Sequence, residues 1–133
     1  MERKPPGSPA GTVVNHDTGD YLTGTAATAT QNGEDVYSAG YRGVKAVLDM
    51  TNVGTGSVTV TIQGKDLASG KYYTLLAGAA VTTNVTNVYT VFPGAPATAN
   101  VSANDHLPQV FRVIVTANNA NAATYVLGLN LLV

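Results

Sequence analysis

From Val44 onward, apolar and polar side chains alternate with a period of two. In "VKAVLDMT" Val44, Ala46, Leu48 and Met50 share one face; Lys45, Asp49 and Thr51 share the other, with Val47 among them. After "NVGTG", Val58, Val60 and Ile62 alternate with Thr59, Thr61 and Gln63. A period of two belongs to a strand, whose successive side chains point to opposite faces. The two segments therefore predict an antiparallel pair. "GKDLASGK" predicts a turn and "KYYTLL" a third strand, with further strands over residues 80–84 and 87–92. "PGAPATANVSANDHLPQ" is a long connection, after which "VFRVIVTA", the turn "NNANAA" and "TYVLGLNLLV" predict a final hairpin. The last strand carries Tyr125, Leu127, Leu129 and Leu131 on one face and Val126 and Leu132 on the other. Being apolar on both sides, it belongs in the middle of a sheet.

About seven short strands with Gly- and Asn-rich turns, and no segment of period 3.6, predict an all-β fold. The expected architecture is an antiparallel β-sandwich, immunoglobulin-like or jelly-roll-like. Its expected buried residues are Val58, Val60, Ile62, Val113, Val115, Leu127 and Leu129.

Residues 1–35 read differently. "MERKPPGSPAGTVVNHDTGDYLTGTAATATQNGED" is rich in Pro, Gly, Thr and Ala, and its apolar residues are too scattered for an amphipathic helix. Pro5, Pro6 and Pro9 favour an extended entry, with a short strand over residues 25–31 and a turn at Asn32-Gly33. The expected division is an extended arm over residues 1–35 and a sandwich over residues 36–133. The arm carries the candidate partner contacts Arg3, Lys4, Val13, Val14, Tyr21 and Leu22. On this reading the sandwich folds without the arm, and attachment to a partner depends on it.

Composition narrows the chemistry. Charged residues are 11% of the 133, against roughly 25% in a typical soluble domain. The net charge is −1. A surface of Thr, Ser, Asn, Gly and Ala protects weakly against association, so part of it is expected to meet another protein. A slightly acidic chain without a basic cluster is not expected to hold nucleic acid, and no apolar run is long enough for a membrane helix. The start lacks the apolar core of a signal peptide. There is no cysteine, hence no disulfide, thiolate nucleophile or Cys-based zinc site.

One string looks catalytic. "HDTGD" at residues 16–20 contains the Asp-Thr-Gly of aspartic proteases, in which two such aspartates share a proton. That loop follows an apolar strand, whereas here only "TVVN" precedes it, so an Asx-type turn is the better reading. His106 beside Asp105 has no evident nucleophile or further ligand, and reads as a turn entering a strand. Ser102 and Asp105 fit a helix-cap pattern, with Pro108 leaving room for a single turn. The sequons at Asn84 and Asn100 are chance matches in an Asn- and Thr-rich chain. No catalytic residue, metal ligand or cofactor site is expected, and the chain reads as a non-enzyme. Of seven tyrosines, Tyr72 and Tyr73 are strand neighbours, so one points inward and one outward.

The run from Arg42 to Leu132 resembles small structural proteins of tailed bacteriophages. "RGVKAVLDMTN", "VTVTIQGKDLASGKYYTLLAGAAVT" and "ANDHLPQVFRVIVTANNANAATYVLGLNLL" carry the resemblance, in that order. It implies a β-sandwich virion component, foremost a decoration protein on the outer surface of the capsid. The implied partners are the major capsid protein and neighbouring copies of this chain, with no nucleic acid and no membrane. The implied location is the virion capsid surface, after synthesis in the host bacterial cytoplasm. A minor tail or tail-tip β-domain is the alternative, separated from the first by copy number. A carbohydrate-binding adsorption module is the other, and a glycan array would separate it.

Overall fold

The computed structural model describes residues 20–133, and every residue so described lies in a strand, turn or loop. In chain order the strands are β1 (Asp20–Ala27), β2 (Gln31–Asn32), β3 (Val36–Tyr37), β4 (Gly43–Asn52) and β5 (Val58–Lys65). They continue with β6 (Tyr72–Ala77), β7 (Thr86–Val91), β8 (Ser102–Ala103), β9 (Val110–Ala117) and β10 (Ala123–Leu132).

Two sheets face each other. The first runs β1-β10-β4-β7-β8 and the second β2-β9-β5-β6, with β3 following β2 along the same flank of β9. All pairings are antiparallel except the short β7–β8 contact. The period-two reading is visible directly in β5, where buried and half-buried residues alternate along all eight positions. Val58, Val60, Ile62, Val113, Val115 and Leu127 are buried as expected, while Leu129 is half-buried and packs on the core's rim. Tyr125, Phe111, Leu48 and Met50 are the bulkiest side chains filling the space between the sheets. β10 lies between β1 and β4, the central place its two apolar faces call for.

Three expectations are corrected. β4 and β5 do not pair: β4 lies between β10 and β7, and β5 between β9 and β6. β9 and β10 likewise belong to different sheets, so the expected final hairpin is a connection that crosses the sandwich. Alternation decides which face of a strand is buried, but both sheets bury one face alike, so it leaves the partner open. Residues 80–84 form no strand and contribute one bridge, Val58 with Val81.

The β5–β6 hairpin is as predicted. Its turn is held by Asp66, whose carboxylate accepts hydrogen bonds from Ser69 Oγ at 2.7 Å and Ser69 N at 3.3 Å. Those bonds, with one from the Ala68 amide, hold the Asp66 carboxyl below its ordinary pKa. Gly70 completes the turn at φ +74°, in the left-handed region where a Cβ is strained.

The sandwich also begins earlier than expected. β1 pairs with β10 from Asp20↔Gly128 to Ala27↔Ala123. β2 pairs Gln31 and Asn32 with Val115 and Ile114. Residues 20–27 and 31–32, expected in the arm, are thus strand residues of the two sheets. Those strands are short or rich in Thr, Gly and Ala, so no hydrophobic alternation announces them.

Candidate interaction surfaces

Tyr21 and Leu22, expected to meet a partner, turn toward the core. β1 carries a bulge at Tyr21, since Asp20 faces Gly128 while Leu22 faces Leu127. The Tyr21 side chain crosses from the first sheet to β9 of the second, where its hydroxyl accepts a hydrogen bond from Val113 N at 3.2 Å. The same hydroxyl donates to the Glu34 carbonyl. The need for it is specific. On this flank of β9, β2 ends at Asn32 and β3 begins at Val36. Gly33 N donates to Val113 O at 3.0 Å, but no strand supplies an acceptor for Val113 N–H. A buried amide without a partner is costly, and the phenol takes that place. Gly33 is required beneath it, because a Cβ there would lie 2.1 Å from the Tyr21 hydroxyl. Burial, chiefly, pushes the Tyr21 phenol well above its ordinary pKa.

Arg3, Lys4, Val13, Val14, His16 and Asp17, and with them the Asp-Thr-Gly string, lie outside the described residues. His106 and Asp105 are exposed. Asp105 Oδ1 accepts from the His106 amide at 2.8 Å, and His106 Nδ1 lies 3.0 Å from the Leu107 carbonyl oxygen. Ser102 belongs to β8 instead of a helical turn. The Asn84 side chain accepts from Val53 N at 2.9 Å and ties two loops together. Among the described residues, no cluster of three or more His, Asp or Glu side chains is placed to hold a metal ion.

The outer face of the second sheet gathers a polar cluster that no motif announced. Asp35, just before β3, accepts from Lys65 Nζ at 2.7 Å and from the Tyr72 hydroxyl at 2.6 Å. Arg112 lies flat over the Tyr72 ring, 3.6 Å from its centre, and donates through Nε to Gln63 at 2.9 Å. Burial alone would push the Asp35 carboxyl up; the hydrogen bonds from Lys65 and Tyr72 and the nearby cations outweigh it and lower its pKa. Burial first, then the bond to Asp35, raises the Tyr72 phenol. Period two does place Gln63, Lys65 and Arg112 outward. Their meeting depends on the β5–β9 register, Gln63↔Arg112, which the chain's pattern does not disclose. These bonds and the ring contact tie the residue before β3 to β5, β6 and β9.

Two other surfaces are open. On the outer face of the first sheet, Val47 pairs across to Val88 on β7, and Val126 pairs with Asp49. Val88 is 45% exposed. The second surface is a groove of ≈ 440 Å³ along β6. Leu75, Leu76 and Ala77 line one side, and the connection around β8 lines the other with three alanines and the polar Thr98, Asn100, Ser102 and Asn104. The lining has no charged residue.

No known protein family, curated protein or solved structure matches this chain.

Proposed function

We propose that the chain is a virion structural protein of tailed bacteriophages, a decoration protein that binds the outer surface of the major capsid shell. The observation that carries this reading is a braced sandwich with exposed apolar area: Val88 beside Val47 on the outer face of the first sheet, and the β6 groove, whose lining has no charged residue. The resemblance over residues 42–132 gives the reading its biological setting. A lattice component works through area and strand edges, and weak contacts suffice when each copy is held at several points. A rigid body serves this role, because fewer degrees of freedom are lost on docking. The polar cluster and the Tyr21 strut supply that rigidity around β9.

The reading is tested by mixing purified protein with heads that lack it and measuring retention after sedimentation. Val88→Lys places a charge in the exposed apolar face without disturbing the core, and is expected to reduce retention. Unchanged retention of that variant, with wild type bound, would remove the first-sheet face from the account. Failure of wild type to bind heads at all would remove the decoration reading.

A further inference from the structure

Strands β4, β7 and β10 carry two charged residues between them, Lys45 and Asp49, both on β4 and both exposed. They stand two residues to either side of Val47, so all three side chains point outward from the first sheet. The register runs one row of side chains through each. Val47 faces Val88, which is 45% exposed. Lys45 faces Thr90 and Asn130, and Asp49 faces Thr86 and Val126. Along the strand direction the face therefore reads basic, apolar, acidic.

The two charges are not spent on each other. Four residues along a strand is about 13 Å, too far for these side chains to meet. Among the described residues Lys45 has no ion-pair or hydrogen-bond partner, and Asp49 accepts only from the Thr86 hydroxyl at 3.3 Å. Such an order of charges complements itself. Consider a two-fold axis lying between two copies, crossing the strands and passing by Val47. It sets Lys45 over the partner's Asp49, and Asp49 over the partner's Lys45. The Val47–Val88 row lies along the axis, apolar against apolar.

Charge selects this arrangement over the other face-to-face one. A two-fold axis running along β4 would set lysine over lysine and aspartate over aspartate, and juxtaposed like charges oppose association. Sheets packed face to face lie about 10 Å apart, with strands within about 30° of one another. A lysine stem and an aspartate carboxylate together span that gap, and the flexible stem takes up the rotation. The area is modest. Three strands about 4.8 Å apart and six residues of about 3.4 Å cover about 14 by 20 Å, below the roughly 800 Å² per partner of a stable complex. The contact is therefore weak in solution, of the kind that repetition on a lattice adds up.

We propose that the outer face of the first sheet docks on the same face of a second copy, with reciprocal Lys45–Asp49 ion pairs around a Val47–Val88 centre. Both copies use the same patch, so the contact is isologous and closes at two copies. This goes beyond the decoration reading, giving the face a neighbour of its own kind and leaving the β6 groove to the shell. It is measured without heads, so the two fail separately.

The test swaps charges in full-length chains, at two exposed positions. In sedimentation equilibrium at up to about 1 mM, wild type is expected to show a monomer–dimer equilibrium. Lys45→Glu alone and Asp49→Lys alone each set like charges together, and each is expected to weaken dimerisation roughly tenfold or more. An equimolar mixture of the two is expected to form heterodimers, because every changed charge then meets its opposite. Lys45→Glu with Asp49→Lys in one chain keeps the net charge of −1 and is expected to dimerise like wild type, which separates a local pairing from a general effect of charge. Circular dichroism checks sheet content, and Val88→Lys, also expected to weaken dimerisation, replaces any single variant that loses it. Three results overturn the proposal: wild type monomeric throughout the range, a folded single variant that dimerises like wild type, or a double variant that stays monomeric.

Discussion

Tyr21→Phe isolates a single oxygen. The ring stays, with its contact over Gly33, while the acceptor of the Val113 amide and the donor to the Glu34 carbonyl are lost. Glu34 is exposed, so water can satisfy its carbonyl; Val113 is fully buried, and its amide is left without a partner. An unsatisfied buried donor costs about 1–3 kcal/mol, and we take about 2 kcal/mol as the expected loss. For a domain of this size that lowers the melting temperature by about 6–12 °C. The assay is urea unfolding of the isolated full-length protein beside thermal melting, with Tyr73→Phe, at a site 46% exposed, as the control. A second signature follows from titration. Burial raises the folded-state pKa of the phenol above the model-compound value of 10.0. Its stabilisation is therefore complete below pH 10 and is lost as pH rises through the folded value. Tyr21→Phe is expected to make the alkaline fall in stability shallower. A melting change under about 2 °C in Tyr21→Phe would refute the strut, and return Tyr21 to a partner-contact role.

Val60→Asp places a carboxylate where only 1% of the residue is exposed, and is expected to cost several kcal/mol or prevent folding, read by denaturant unfolding. Asp35→Asn is expected to lower stability at neutral pH and flatten its loss in acid. Because the folded pKa of Asp35 lies below 3.8, its contribution is present above pH 3.8 and disappears as pH falls through the folded value, which acid titration by circular dichroism would follow. Deleting residues 2–30 removes β1 and most of the β10 flank's cover, so the sandwich is expected to lose cooperative melting; a deletion variant that melts like wild type would show that β1 is dispensable.

How far the chain could be read follows from what each signal encodes. β4 and β5 were legible because apolar and polar residues alternate along them, as in strands with one face buried, and β9 and β10 because they are β-branched, Leu- and aromatic-rich runs bounded by turn residues. Their partners were not legible, since Val60 opposite Val115 and Leu48 opposite Leu127 look alike in one dimension. β1 escaped for another reason. Gly24 lies under the Tyr125 ring, where a Cβ would come within 2.5 Å, so the position that would signal an inward residue is a glycine. Gly33 under Tyr21 repeats the same exchange of side chain for space. A tyrosine opposite a glycine is a packed pair in the fold, yet in sequence it reads as loop composition. The Asp35–Lys65–Tyr72–Arg112 cluster draws on three strands and a loop 77 residues apart at the extremes, a distance no local pattern spans.

The central claim concerns where the protein works, and electron microscopy of intact particles tests it most directly. The account predicts density for this sandwich on the outer surface of the head, one copy or cluster at every repeat of the shell lattice, with an apolar face or strand edge turned to the major capsid protein. Density confined to the tail tip, or particles that lack the protein altogether, would contradict it.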